Sequence, residues 1–231
     1  MKLEFREATH EYYCDGRRLP SVTGVMRTAG LTSSYGFDDP IHALRGHAVH
    51  YGCAIIDQGG EPSVAPPVRH AQNPDYIQVV KDIHDGYWPA YRAFKARTGF
   101  QGRIYECPMV HPYLGYAGTF DVCGEVGEEL WLLDLKSGAL PELVPVQLAA
   151  YDMLIRDGFP VDPEHFGYRW LKQKIAKGRK LIRKAVRLQK DGTATLFSET
   201  KRREDYNARV FDTIWASAIS IYNARSMYGL L

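Results

Sequence analysis

Apolar and polar positions alternate weakly over residues 2–5 and again over 10–20, where Asp15-Gly16 separates two short extended pieces. Asp-Gly between such pieces is a hairpin turn signal, so residues 1–20 read as a short hairpin. Ser21 is a plausible N-cap for a helix beginning in Val-Thr-Gly-Val-Met. Residues 31–40 are a polar loop ending at Pro40, and 41 to about 56 read as a helix. The Gly/Pro-rich stretch 58–74 is loop. From 76 to about 98, Ile77, Val80, Ile83, Tyr87 and Tyr91 recur at helical spacing and predict one long amphipathic helix. Three strands follow, at roughly 101–110, 115–126 and 130–136, then a helix at about 144–157. Residues 166–174 read as a strand, 183–189 and 193–198 as a hairpin around Asp191-Gly192, and 205–228 as a closing helix. That helix places Val210, Phe211, Ile214, Ala218 and Ile221 on one face. The order predicts a single α/β (α+β) domain spanning 1–231, with a central mixed sheet flanked by helices and an N-terminal hairpin and helical decoration.

At 231 residues and 45% hydrophobic content, the chain can bury one full core. No apolar run is long enough to span a bilayer, and the N-terminus lacks the apolar segment of a signal peptide. The expected setting is cytoplasmic, without membrane contact. Cys14, Cys53, Cys107 and Cys123 form no C-x-x-C pair, so four reduced thiols are expected, and neither a zinc ribbon nor an iron–sulfur cluster.

Charge interrupts the apolar pattern at one place in particular. Asp121 closes the stretch Gly-Tyr-Ala-Gly-Thr-Phe-Asp, and Asp134 and Lys136 break the run Leu-Trp-Leu-Leu-Asp-Leu-Lys. Side chains two apart on a strand share a face, so Asp134 and Lys136 point the same way. Two carboxylates and an ammonium at one sheet edge suit a hard divalent cation with a lysine orienting a nucleophilic water. A surface-facing pair on an edge strand is the alternative. His50 lies four residues after Gly46 on a helix and can ligate a metal or serve as a hydrogen-bonded structural residue. Gln147 and Tyr151, four apart, share a helix face that either holds a nucleic-acid phosphate or base, or packs on the sheet. Glu106 is a further carboxylate, for the site or for a pair with Arg45, or simply an exposed strand residue.

From Arg169 to Lys190 there are ten Lys/Arg and no Asp or Glu, within a chain of net charge +2. Such a run reads as a polyanion-binding stripe, with Lys172, Lys174 and Arg179 as substrate contacts, or as an ordinary solvated surface. Tyr87, Trp88, Tyr91 and Phe94 cluster on one helix, to stack bases or to fill the core.

Four pieces occur in a recognisable order: Gly46…His50, Gly118-Thr-Phe-Asp121, Asp134-Leu-Lys136 and Gln147…Tyr151. Together they resemble the PD-(D/E)XK nuclease superfamily, in its RecB-like branch. Leu-Pro-Ser-Val-Thr (19–23) and Arg45-Gly46 are similar to its phage and mitochondrial genome maintenance exonuclease members. The resemblance implies a restriction-endonuclease-like core. It also implies His50, Asp121, Asp134 and the Leu135 carbonyl as ligands of Mg²⁺ or Mn²⁺, Lys136 as the residue orienting water, and Gln147 and Tyr151 as strand-binding groups. Arg45 is a further candidate substrate contact. The implied activity is a metal-dependent DNA exonuclease acting on single-stranded or frayed ends in recombination, repair or replication, with a recombination or replication protein as a possible partner. A structure-specific endonuclease and an inactive nucleic-acid-binding protein on the same fold are the alternatives.

Overall fold

The computed structural model describes residues 1–32, 39–138, 142–165, 167–198 and 204–230. The polar loop expected at 31–40 therefore lies mostly outside the described residues. The N-terminal strands β1 (Leu3–Arg6), β2 (Glu11–Cys14) and β3 (Arg17–Leu19) form a small antiparallel sheet. Asp15 and Gly16 both have positive φ, 48° and 80°, as a two-residue hairpin turn with right-handed strand twist requires. Helix α1 (Val22–Thr28) follows, and the Ser21 side chain accepts from the Gly24 N–H at 3.0 Å. Pro20 O accepts from Ala117 N at 2.9 Å, which seats this sheet on the central one.

Helix α2 (Pro40–Asp57) opens on Asp39, whose carboxylate accepts from Ile41 N. The next helical stretch is not uniform. It runs as α3 (Pro74–Asp82), one wide π turn over Ile83–Tyr87, and α4 (Trp88–Thr98). Pro89 supplies the reason, because it has no N–H to return to the carbonyl four residues earlier. The buried face is Tyr76, Val79 and Ile83, while Ile77 is exposed. Across the wide turn the buried set becomes Tyr87, Trp88, Tyr91 and Phe94, so these aromatics are core.

The central sheet has the order β7-β4-β5-β6-β8-β9, with β4 (Gln101–His111), β5 (Tyr116–Val126), β6 (Glu129–Lys136), β7 (Phe159–Pro160), β8 (Leu181–Leu188) and β9 (Ala194–Ser198). β6 and β8 are parallel and the other pairs antiparallel, which makes the sheet mixed. Helices cover both faces. On one side α1, α5 (Val144–Asp157) and α7 (Glu204–Met227) enclose a core with Phe120, Leu130, Leu132 and Trp215. On the other, α2 and α4 pack over Val122, Trp131, Leu133 and Leu135. The expected α/β architecture is present.

Two local expectations are corrected. Within 166–174, expected as a strand, Tyr168–Ala176 is the helix α6. Leu171 is buried, and Tyr168 and Ile175 pack against the same core, a helical rather than alternating spacing. On α7 the inward face is Phe211, Ile214, Trp215, Ala218, Ile219 and Tyr222, and Ile221 is exposed.

Close helix packing at Gly52 holds α2 in place. A Cβ there would lie 2.0 Å from Trp88 Nε1, and that indole donates to Ala48 O at 3.2 Å. Gly52→Ala is expected to destabilise the protein by about 1–3 kcal/mol, measured as a lowered urea midpoint. An unchanged midpoint would show that α2 is free to shift.

Candidate metal and phosphoryl-transfer site

Residues two apart on a regular strand face the same way. On β4, Cys107 and Met109 obey this and enter the α5 core, yet Ile104, three residues before Cys107, enters it too. On β5, Tyr116 and Phe120 enter that core, and so does Cys123, while Val122 packs on the opposite side. Each strand thus loses one step of alternation. The register pairs Tyr105 with Val122 and Cys107 with Phe120, so the irregular residues, Glu106 and Asp121, stand opposite each other. Glu106 carries the strain, with φ at 42°. A non-glycine residue there costs about 1–2 kcal/mol. This paired break brings both carboxylates to the face where α2 presents His50.

His50 Nδ1 lies 3.0 Å from Glu106 Oε1, and its Nε2 lies 2.9 Å from Leu135 O and 3.8 Å from Asp121 Oδ2. The Leu135 N–H donates to Asp121 Oδ2 at 2.7 Å. Ligand atoms of His50, Glu106 and Asp121 all lie within 4.8 Å of one another. Burial alone would lower the His50 pKa, but Asp121, Glu106 and the Leu135 carbonyl outweigh it and push it up to about 9. The ring is therefore an imidazolium at neutral pH, donating from both nitrogens. Asp121 is shifted upward by burial, with Glu106 adding to the effect and His50 and Lys136 opposing it.

Asp134 and Lys136 do share a face, as the alternation requires. Asp134 is 1% exposed, and Lys136 Nζ reaches its two oxygens at 2.9 and 2.8 Å. Only Oδ1 is hydrogen-bonded, which leaves Oδ2 buried in ion-pair contact alone. Burial raises the Asp134 pKa to about 6, with Lys136 pulling it down and Asp121 pushing it up. Burial disfavours the Lys136 charge, yet Asp134 and Asp121 raise its pKa, so it stays an ammonium. Lys136 also reaches Gln147 Oε1 at 3.5 Å, and Gln147 Nε2 donates to the Tyr151 hydroxyl at 3.1 Å. Gly118 allows this approach of α5, since a Cβ there would lie 2.8 Å from the Tyr151 ring. At Gly46 a Cβ would meet no protein atom within 4 Å, so its role is not packing among the described residues.

The group nearest to a cation cage is thus His50, Glu106, Asp121 and the Leu135 carbonyl. Asp134, expected as a direct ligand, stands beside them holding Lys136. The donor chemistry fits a hard divalent ion. Octahedral Mg²⁺, with bonds of about 2.1 Å, sets neighbouring ligands about 3 Å apart, close to the 2.9 Å between His50 Nε2 and Leu135 O, while Glu106 meets the other ring nitrogen, Nδ1.

Lys172, Lys174 and Arg179, the expected contacts from the basic run, are not brought to this site. Lys174 pairs with Glu125, and Arg179 with Glu125 and Glu128, at the end of the sheet about 20 Å from Lys136 along β6. Lys172 donates to the Ile155 and Arg156 carbonyls at the far end of α5. Arg169 meets Glu164, Arg183 meets Asp212, and Lys184 lies over the Trp131 ring. Acids from other elements therefore neutralise much of what looked like a continuous stripe. Arg187 was not singled out by the sequence, yet it is registered with Lys136 across β6–β8. Its signal lay only in tertiary pairing.

Two outcomes follow for stability without divalent cations. His50 and Asp134 have folded pKa values above their unfolded ones, so the native state binds more protons and loses stability as pH rises through about 6 and then about 9. The urea midpoint in EDTA should fall between pH 5 and 9, the His50 part amounting to roughly 2–3 kcal/mol. His50→Gln should flatten the upper half, and a flat wild-type profile would contradict the imidazolium assignment. Separately, Glu106→Gly should be more stable than Glu106→Ala by about 1 kcal/mol, because only glycine relaxes at φ 42°. Equal stabilities would remove the case for strain.

Comparison of the sequence with protein-family models and with curated proteins gives no match, so the reading of this site rests on its chemistry and geometry.

Proposed function

We propose that this protein is a metal-dependent nuclease that hydrolyses phosphodiester bonds, with DNA as substrate and free single-stranded or frayed ends as the point of attack. The observation that carries the reading is the convergence of His50, Glu106, Asp121 and the Leu135 carbonyl beside the buried Asp134–Lys136 pair. The DNA substrate, the preference for ends and a role in recombination, repair or replication come from the family resemblance. Geometry supports the hydrolytic chemistry alone.

His50, Asp121, Glu106 and the Leu135 carbonyl would hold Mg²⁺ or Mn²⁺. A cation bound there would polarise a phosphoryl oxygen and acidify a water. Lys136, kept protonated by Asp134, donates hydrogen bonds and positive charge where charge builds on the phosphate, and it orients the water without taking its proton. Asp134 keeps that ammonium in place from a desolvated position, where the pair is screened little. Gln147 and Tyr151 continue the polar chain from Lys136, with the half-buried Gln147 amide available to the strand and the buried Tyr151 hydroxyl holding that amide in place. For His50 to become a ligand its Nε2 proton must leave, so cation binding releases protons.

End-labelled linear and closed circular single-stranded DNA, incubated with Mg²⁺, test this. Degradation of the linear form alone is the expected result, and cutting of circles would redirect the reading to an endonuclease. Lys136→Ala and Asp134→Asn should each lower the cleavage rate at least about 100-fold, with DNA binding in EDTA retained. Wild-type rates in both folded variants would sink the assignment.

A further inference from the structure

β6 and β8 are parallel, so their carboxyl ends meet at one edge, and a crevice past such ends is where open α/β sheets bind ligands. A cleft of about 490 Å³ opens there, beginning one residue past Lys136 and lined by Ser137, Gly138, Arg45, Arg187 and Lys190. Two guanidinium groups converge on Gly138. Arg187 Nε donates to its carbonyl at 3.0 Å, and a Cβ on Gly138 would lie 3.3 Å from an Arg45 terminal nitrogen. Arg45 Nε is buried and has no hydrogen-bond partner among the described residues. A buried N–H without an acceptor is costly, and a ligand oxygen would relieve it. Asp191 also lines the cleft, but its Oδ1 already accepts from the Thr193 amide and hydroxyl. Among the described residues the lining therefore sets Arg45, Arg187 and Lys190 against one acid, Asp191, which lies within electrostatic reach of Arg187, so positive charge is in excess.

We propose that this cleft is an oxyanion subsite, in which Arg45 and Arg187, with Lys190 alongside, take a phosphate of the substrate strand other than the one being cut. The proposal rests on the nuclease reading and adds to it a second phosphate contact. Guanidinium forks match phosphate oxygens, which suits an anion of this shape better than a carboxylate-poor pocket for a neutral ligand. Arg187 lies one strand spacing from Lys136, about 4.8 Å at the backbone, so the phosphate held belongs to a neighbouring nucleotide. That phosphate is either an internal diester or a terminal monoester, and both present the same oxygens.

Isothermal titration in EDTA separates these sources without depending on cleavage. Short single-stranded DNAs carrying a 5′-phosphate, a 3′-phosphate or hydroxyl ends are titrated into wild type, Arg45→Gln and Arg187→Gln. Arg92→Gln, a change at an exposed pair with Glu61, controls for loss of one charge. Each cleft variant should bind about three- to tenfold more weakly, and the slope of log K against log salt should shrink by about 0.7. A loss confined to one phosphorylated end identifies a terminal monoester, and an equal loss on all three identifies an internal diester. Arg45→Lys should recover only part of the affinity, because it restores charge without the fork. Should Arg45→Gln fail to fold, Arg187→Gln carries the test. Wild-type affinity and salt slope in folded variants, or no DNA binding by wild type, overturns the subsite. Normal cleavage with unchanged binding in the variants removes the subsite alone, whereas weakened binding in the variants with no wild-type cleavage removes the nuclease reading alone.

Discussion

The peptide of Leu135 joins three elements at one point. Its N–H is held by Asp121 on β5 and its carbonyl by His50 on α2, while the backbone itself belongs to β6. The candidate site is arranged about that link. Asp134 and Lys136 flank it in sequence and project to the α5 side, so one strand end serves both a carboxylate–imidazole group and an ammonium group. Moving α2 by an ångström would separate His50 from both partners. That is why the packing of Gly52, two residues beyond His50 on α2, against Trp88 matters to the geometry of the candidate site.

Concentrating charge in this way is unfavourable unless each group has a partner. Lys136 compensates Asp134, and protonated His50 compensates Asp121 and Glu106. The upward shifts on both aspartates show that compensation is incomplete. Proton, lysine and divalent cation are alternative ways of satisfying the same acids, and a cation would displace the proton on His50 most directly. Strain at Glu106 belongs to the same arrangement, since the backbone is bent to bring a second acid to the imidazole. Stability and site geometry are opposed there, as is common where local conformation serves chemistry.

The contrast between the two basic features is instructive. A run of ten cations is conspicuous in the sequence, yet folding distributes it over α6, a turn and two faces of β8, where Glu125, Glu128, Glu164 and Asp212 meet several of its members. The cleft at Gly138 draws on two members of that run, Arg187 and Lys190, together with Arg45, which is separated from Arg187 by more than half the chain. Net charge along a sequence records what must be neutralised, and tertiary pairing decides where positive potential is left over.

Local chemistry made much of this protein legible in advance. Asp15-Gly16, Ser21 and the apolar runs of the central strands determine turns, a cap and β6 because these preferences act over a few residues. Period-two alternation alone put Asp134 and Lys136 on one face, and helical spacing did the same for Gln147 and Tyr151. Short or mixed patterns failed: Tyr168–Ala176 looked extended because its apolar positions are few, and the register of α3 and α4 was hidden by the wide turn before Pro89. What no local rule could supply was the placement of Glu106 beside His50 and Asp121. That placement depends on two strands breaking alternation opposite each other and on a helix from far earlier in the chain closing over the break. Contacts of that kind are set by packing between distant segments, and only the folded chain decides them.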